Sequence, residues 1–318
     1  MKSVDLIVPC YNEAEVLPIF YDEVCSVTSK LPDFNFNFIF VDDGSRDATL
    51  EVIINLAAKD SRVRYISFSR NFGKEAAMLA GMKYSGGEYV CILDADLQHS
   101  PSLVADMLAC LETEPQYDVA AARRIDREGE AKFKSLLSKG FYKIINSLSS
   151  VDIPESAQDF RVMRRNVVDA VISMPEYNRF SKGIFSWVGF NTKWFAHENR
   201  ERAAGETKWS LQSLLRYSLD GIIGFSTAPL KIPLYTGAAI GGLGVAYALY
   251  LIIYFIARPH SALGLPLAVC GMLMLCGLVL FSLGIIGGYV ARIYLEVKNR
   301  PIFIVDKTNI AADGDKTR

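Results

Sequence analysis

Residues 89–99 run Tyr89-Val90-Cys91-Ile92-Leu93-Asp94-Ala95-Asp96-Leu97-Gln98-His99. Five apolar or aromatic residues in succession read as a strand buried on both faces, and two carboxylates one residue apart follow directly. Carboxylates at alternate positions past a strand end can reach a single hard cation. Carboxylate and amide oxygens suit Mg²⁺ or Mn²⁺ rather than zinc. Magnesium takes one or two carboxylates and completes its shell on substrate phosphates. Asp94 and Asp96, with Gln98 as a third oxygen donor, therefore point to a phosphate-bearing substrate. His99 is expected outside the ligand set, either on the surface or behind the ligands.

The pattern of an apolar run ending in polar residues recurs upstream. Val4–Val8 leads into Pro9-Cys10-Tyr11-Asn12-Glu13, and Phe36–Val41 leads into Asp42-Asp43-Gly44-Ser45-Arg46-Asp47. Val63–Ser69 is a further apolar run. Helical patterns over about Glu13–Ser29, Asp47–Lys59, Lys74–Tyr84 and Pro101–Leu111 separate or follow these runs. Such alternation predicts a parallel α/β sheet, whose ligands gather at the carboxyl ends of the strands. The three polar clusters should then meet at one edge.

Composition narrows the class. The 318 residues are 51% hydrophobic and 22% charged, which excludes a disordered chain and a pure membrane bundle. Lys+Arg and Asp+Glu number 34 and 35, a net charge of −1, so a nucleic-acid partner is not expected. None of the six cysteines forms a Cys-x-x-Cys pair, which suits reduced thiols in a cytoplasmic setting. Asp5 stands where the apolar part of a signal peptide would begin, so no cleaved leader is expected.

The hydrophobicity is concentrated late in the chain. Leu234–Ala257 and Leu267–Ala291 carry no charged residue. At about 1.5 Å per residue each reaches about 36 Å as a helix, against a hydrocarbon core of about 30 Å. Two transmembrane helices are expected. Arg216, Lys231, Arg292, Lys298 and Arg300 flank the pair, whereas the connecting loop holds only Arg258 and His260. The positive-inside rule puts both termini in the cytoplasm. The expected organisation is a cytoplasmic α/β domain over 1–231, a two-helix membrane hairpin over 232–292, and a cytoplasmic tail over 293–318. Residues 209–231 read as an amphipathic interfacial helix, and the polar tail beyond Val305 is expected to fray. The glycine-rich spans permit helix association, including between chains of a homo-oligomer.

Taken in order, these stretches resemble a family 2 glycosyltransferase of the GT-A (Rossmann-like, nucleotide-sugar-binding) fold. More narrowly they resemble the polyprenyl-phosphate glycosyltransferases, the bacterial bactoprenol glucosyltransferases and the dolichol-phosphate mannosyltransferases. The matching motifs are Val-Pro-x-Tyr-Asn-Glu at 8–13, Asp-Asp-Gly-Ser-x-Asp at 42–47, Ser-Arg-Asn-Phe-Gly-Lys at 69–74 and Asp-Ala-Asp-Leu-Gln at 94–98. Gln-Asp-Phe-Arg at 158–161 and Gly-Glu-Thr-Lys-Trp at 205–209 complete the set.

The resemblance implies roles. Pro9, Tyr11 and Glu13 would border the nucleotide, and Asp42 or Asp43 would bind its base. Asp94, Asp96 and Gln98 would hold the metal and diphosphate. Asp159 would be the catalytic carboxylate, working with Asp96. Arg123, Lys134, Ser138, Arg202 and Lys208 would receive the phosphates of donor and acceptor. The acceptor would be undecaprenyl phosphate at a bacterial inner membrane. The segment 180–190 looks like the glucosyltransferase branch, which favours UDP-glucose, with GDP-mannose, UDP-N-acetylglucosamine and a UDP-aminoarabinose derivative as alternatives. A processive synthase would carry Gln-x-x-Arg-Trp, whereas Gln212 and Arg216 are misspaced and Tyr217 follows. A nucleotidyltransferase would place a glycine-rich basic loop at 8–13. A non-catalytic membrane scaffold would tolerate loss of the acidic set, which here is intact.

Overall fold

The computed structural model describes residues 1–124, 157–174, 176–197, 228–257 and 264–311. The apolar runs form β1 (Lys2–Cys10), β2 (Phe34–Asp42), β3 (Val63–Phe68) and β4 (Tyr89–Ile92), joined by α1 (Leu17–Thr28), α2 (Thr49–Lys59) and α3 (Lys74–Tyr84). After α4 (Leu103–Thr113) come β5 (Val119–Arg124), β6 (Ala157–Arg164), α5 (Arg165–Ile172), α6 (Ser181–Trp187) and β7 (Thr192–His197). Two long helices, α7 (Ala228–Ala257) and α8 (Gly264–Val297), precede β8 (Val305–Thr308).

One sheet takes all eight strands in the order β7-β5-β6-β4-β1-β2-β3-β8. β1 to β4 are mutually parallel where they pair, whereas β6 runs antiparallel to both β4 and β5 and β8 antiparallel to β3. The sheet is thus mixed, not wholly parallel. The reversal of β6 matters. Because Ile92 pairs with Arg161, the start of β6 lies at the edge where β4 ends.

Strand alternation splits the core in two. Val4, Leu6 and Val8 of β1 face a cluster with Leu17, Phe20, Ile53, Met107 and Leu108 of α1, α2 and α4. Ile7 faces the other side, among Ala77, Met78, Val168 and Ile184 of α3, α5 and α6. Asp5 shares that side as a buried carboxylate. It accepts from Gly86 N and Gly87 N, each at 2.7 Å, and from Asn37 Nδ2 at 2.9 Å, tying the turn before β4 to β1 and β2.

Helix α1 starts at Leu17, four residues later than the pattern suggests. The Glu13 carbonyl accepts from Val16 N and Leu17 N in a preceding turn, and Pro18 sits in the first helical turn, where its missing N–H costs nothing. The larger correction is at the C-terminus. From Val305 to residue 311, the last one described, the segment expected to fray is tied to the sheet: Val305–Thr308 is an edge strand on β3, and Asn309 accepts from Tyr65 N and donates to Val63 O. The polar residues of this segment face outward, while Ile302, Phe303, Val305 and Ile310 pack against the α3 side of the core. Composition alone does not separate a solvated edge strand from a loose tail.

Among the described residues one helical stretch, Met274–Val297, is long and apolar enough to cross a membrane. The first charge-free run, Leu234–Ala257, lies within α7, where Tyr235, Leu243, Leu249 and Ile253 are exposed. The expected amphipathic segment up to residue 227 falls outside the described residues. Cys10, Cys25, Cys91, Cys110 and Cys276 form no disulfide among the described residues.

Replacing Asp5 with Ala strands the buried amide of Gly87 and the part-buried amide of Gly86. Each unsatisfied donor costs about 1–3 kcal/mol, so the unfolding midpoint in denaturant should fall by the equivalent of roughly 2–4 kcal/mol. An unchanged midpoint would remove this clamp from the account of the fold.

Candidate active site

The three polar clusters converge on the carboxyl edge. Loop 11–14 is laced to the turn after β2: Asn12 N donates to Ser45 Oγ, Glu13 N to Thr49 Oγ1, Ala14 N to Asp47 Oδ2, and Arg46 N to Asn12 Oδ1. Asn12 holds φ +52°, in the left-handed region that asparagine tolerates. Gly44 has φ +63°, and a Cβ there would lie 2.4 Å from the carbonyl carbon of Arg70. Only glycine lets the β2 and β3 loops approach so closely.

Asp42 and Asp43 hold these loops. Asp42 accepts from Ser45 N at 3.1 Å and from Ser67 Oγ at 2.8 Å. Asp43 accepts from Phe72 N at 2.6 Å and Gly73 N at 2.9 Å. Burial pushes the Asp43 carboxyl up to about 6 from 3.8, against the two backbone hydrogen bonds. Pro9 is half-buried at the end of β1, and Tyr11 and Glu13 are half-buried just beyond it.

The centre of the site is Lys74, the first residue of α3. Its Nζ lies 2.7 Å from Asp94 Oδ1 and 2.7 Å from Asp159 Oδ2. Lys74, Asp94 and Asp159 retain 34%, 24% and 17% side-chain exposure, so solvent and substrate can reach the cluster. Burial alone would raise the Asp159 carboxyl, but the charges of Lys74 and Lys182 outweigh it and hold the group well below the usual carboxylate range. Burial would lower Lys74; Asp159 and Asp94 outweigh that and raise it. Arg161 fixes the backbone beside Asp159 by donating to Asp159 O and Gln158 O, with its guanidinium 3.7 Å from the Phe185 ring centroid. On the other side of Lys74, Glu75 accepts from the backbone N–H and hydroxyl of Ser181.

The acidic pair after β4 turns sharply. Leu97 adopts φ +57°, and Gln98 N returns to Asp96 Oδ1 at 3.1 Å. A leucine in that region signals strain held by its surroundings, as is common at functional sites. His99 is buried, not on the surface. It stacks on His197 at 5.0 Å and lies 5.4 Å from Phe160. Arg123 is exposed near the end of β5, on the same edge. Lys134, Ser138, Arg202 and Lys208 lie outside the described residues.

The donor set fits a hard divalent cation. Among the described residues no group of three His, Cys, Asp or Glu side chains is placed to hold an ion. Asp94 and Asp96 are the carboxylates that would serve such an ion, and the buried Oδ1 of Asp159 has no hydrogen-bond partner among the described residues. Two carboxylates and no thiolate suit an ion that completes its shell on phosphate oxygens.

Comparison with known proteins places this edge. The profile of glycosyl transferase family 2 matches residues 5–172, which include every loop described above as far as Asp159. The chain belongs to glycosyltransferase family 2. The enzyme is 40% identical over 307 residues to CsbB of Bacillus subtilis (strain 168), whose name assigns it provisionally to the glycosyltransferases; 96% of this chain and 92% of that one are covered. It is 36% identical to the SfII prophage-derived bactoprenol glucosyl transferase of Shigella flexneri, covering 96% and 98% of the two chains. A solved structure, the mannosyltransferase PcManGT from Pyrobaculum calidifontis in complex with GDP-Man and Mn²⁺, aligns over 93% of this chain and 86% of that one, with 17% identity and a TM-score of 0.49.

Lys74 closes the Ser-Arg-Asn-Phe-Gly-Lys motif at 69–74, but nothing local in the sequence assigns it a role. Its signal is a lone lysine at the first helical position after Gly73, which has φ +99°. The Glu75–Ser181 pair spans 106 positions, and neither it nor Lys182 carries a local pattern that marks its partner.

Lys74→Met should reduce sugar transfer by about 100-fold or more, the scale of losing one preorganised charge, with the circular dichroism spectrum retained. A folded variant with wild-type turnover would remove Lys74 from the site. Asp43 gives a pH test. Its folded-state pKa exceeds the unfolded value, so folding takes up a proton between about pH 4 and 6 and stability falls as pH rises through that window. Asp43→Asn should flatten this slope in denaturant midpoints measured from pH 4 to 7. An unchanged slope would refute the assignment.

Proposed function

We propose that this glycosyltransferase transfers glucose from UDP-glucose to undecaprenyl phosphate, with inversion, at the cytoplasmic face of a bacterial membrane. The observation that carries the reading is the Lys74 bridge between Asp94 and Asp159. It joins the carboxylate proposed to bind the diphosphate to a second carboxylate held well below the usual carboxylate range. The bactoprenol glucosyl transferase names of full-length relatives support the choice of sugar and acceptor.

The acceptor supplies its own nucleophile. A phosphate monoester has a second pKa near about 6 and is mostly dianionic at pH 7. Its oxygen forms a bond to the anomeric carbon as the bond from that carbon to the nucleoside diphosphate breaks, and the electron pair leaves with the diphosphate. Displacement from the opposite face converts an α-linked donor into a β-linked product. Asp159, held well below the usual carboxylate range, is too weak a base to drive this step and instead orients and balances charge. Lys74, Lys182 and Arg161 offset the repulsion between two anionic substrates. Arg123, Lys134, Arg202 and Lys208, with the hydroxyl of Ser138, are proposed to receive the phosphates of donor and acceptor.

Asp94 and Asp96, with Gln98, would hold Mg²⁺ or Mn²⁺, which when bound offsets charge on the departing diphosphate. Pro9, Tyr11, Glu13 and the Asp42–Asp43 turn would border the nucleotide, with the base against the carboxylate of Asp42 or Asp43.

The membrane reading rests on topology as well as hydrophobicity. β8 pairs with β3 of the sheet, so the chain between them must cross a bilayer an even number of times. If α8 crosses, α7 is the return partner, and the two helices contact one another. This supports a hairpin over 232–292 with the sheet and both termini on one side.

A donor panel tests the proposal. Detergent-purified enzyme with undecaprenyl phosphate and Mg²⁺ or Mn²⁺ should move label into the lipid phase from UDP-glucose alone. Asp96→Asn should cut that transfer by about 100-fold or more. Transfer only from GDP-mannose or UDP-N-acetylglucosamine would overturn the sugar assignment, and transfer from no donor would overturn the acceptor.

A further inference from the structure

The turn that carries Lys74 is gripped on two sides, and the grips reach the last turn of α8 and the chain that follows it. On one side, Asp43 receives the amides of Phe72 and Gly73. The Phe72 ring packs edge-on against Phe68 at 5.7 Å, and Phe68 stacks on Phe303 at 5.1 Å with 15° between planes. On the other side, Glu75 holds Ser181. The loop leading to Ser181 is anchored where Tyr177 N donates to Glu296 Oε1 at 2.9 Å, in the last turn of α8.

The connecting segment is built to be rigid. Asn299 turns with φ +46° and its N–H returns to Glu296 O, closing the end of α8. Pro301 follows. Ile304 O then accepts from Ser69 N, and β8 pairs with β3 as far as Thr308, whose hydroxyl donates to Tyr65 O at 2.7 Å.

We propose that residues 296–310 form a strap that couples the seating of α8 to the position of Lys74, with Phe303 as its positioning residue. The strap touches neither Asp94 nor Asp159. It acts through Phe68 and Phe72 on one flank of the turn and through Tyr177 and Ser181 on the other. The value of this position for turnover rests on the reading of Lys74 proposed above, whereas the mechanical coupling stands independently.

The test uses the full chain in detergent or nanodiscs. Phe303→Ala removes the stacking ring, and Glu296→Ala removes the exposed acceptor on the opposite grip with little risk to folding. Amide exchange of Phe72–Glu75 should speed up by about tenfold in either variant, a local opening well short of global unfolding. Turnover should fall by about 10- to 100-fold, the scale of a small misplacement of a catalytic group, with KM for the nucleotide sugar within about threefold of wild type. Phe303→Tyr should restore both readouts. Exchange at Phe72–Glu75 unchanged in both variants would overturn the strap. So would a Phe303→Ala protein that loses only thermal stability while its folded fraction turns over normally. Exchange needs no substrate, so an absence of transfer in the wild-type protein would count against the proposed reaction and not against the strap.

Discussion

Two carboxylates from distant parts of the chain meet at one ammonium group. Asp94 leaves the end of β4, Asp159 opens the antiparallel β6, and Lys74 begins α3, with both contacts at 2.7 Å. Without the lysine, two partly buried negative charges would face each other across a low-dielectric edge, and breaking such a pair by removing one partner is costly. The remaining architecture can be read as support for this junction. The reversal of β6 brings Asp159 to the carboxyl edge, and the tight β2–β3 approach at Gly44 sets the loop that leads into α3.

Acidic residues do two kinds of work in this protein. Asp5, Asp42 and Asp43 spend oxygens on backbone amides and short side chains, and so shape loops. Asp94 and Asp159 face a mobile-ended cation and remain reachable. Burial and hydrogen-bond geometry separate the two sets. Asp43, with its raised carboxyl, sits at the boundary, because the same turn that would meet a nucleotide also orders Phe72 and Gly73.

The edge strand β8 ties the chain after α8 to the sheet. Because it pairs with β3, the sheet and the end of α8 lie on the same side of any bilayer the helices cross. Under the proposed function, a lipid-borne acceptor and a water-borne donor would meet at a site whose loops touch the chain that follows α8. Exposed apolar side chains along α8, among them Met274, Leu280, Ile286 and Val290, present the surface a hydrocarbon phase would cover.

The sequence by itself determined the α/β alternation, the boundaries of β1 to β4 within a few residues, and the acidic motifs after β1, β2 and β4. These are local properties: a period-2 or period-3.6 apolar pattern is written into neighbouring residues. It also carried the uncharged runs, because hydrocarbon demands unbroken apolarity. Only the tertiary structure decided that Lys74 joins Asp94 to Asp159, that Asp42 and Asp43 clamp loops, that His99 stacks on His197, and that the polar tail becomes β8. Each depends on pairing across long sequence separation, 85 positions from Lys74 to Asp159. An isolated charge or a short polar segment has no periodicity to announce its partner. The register of an antiparallel strand reached by a long connection is set by packing against the rest of the sheet.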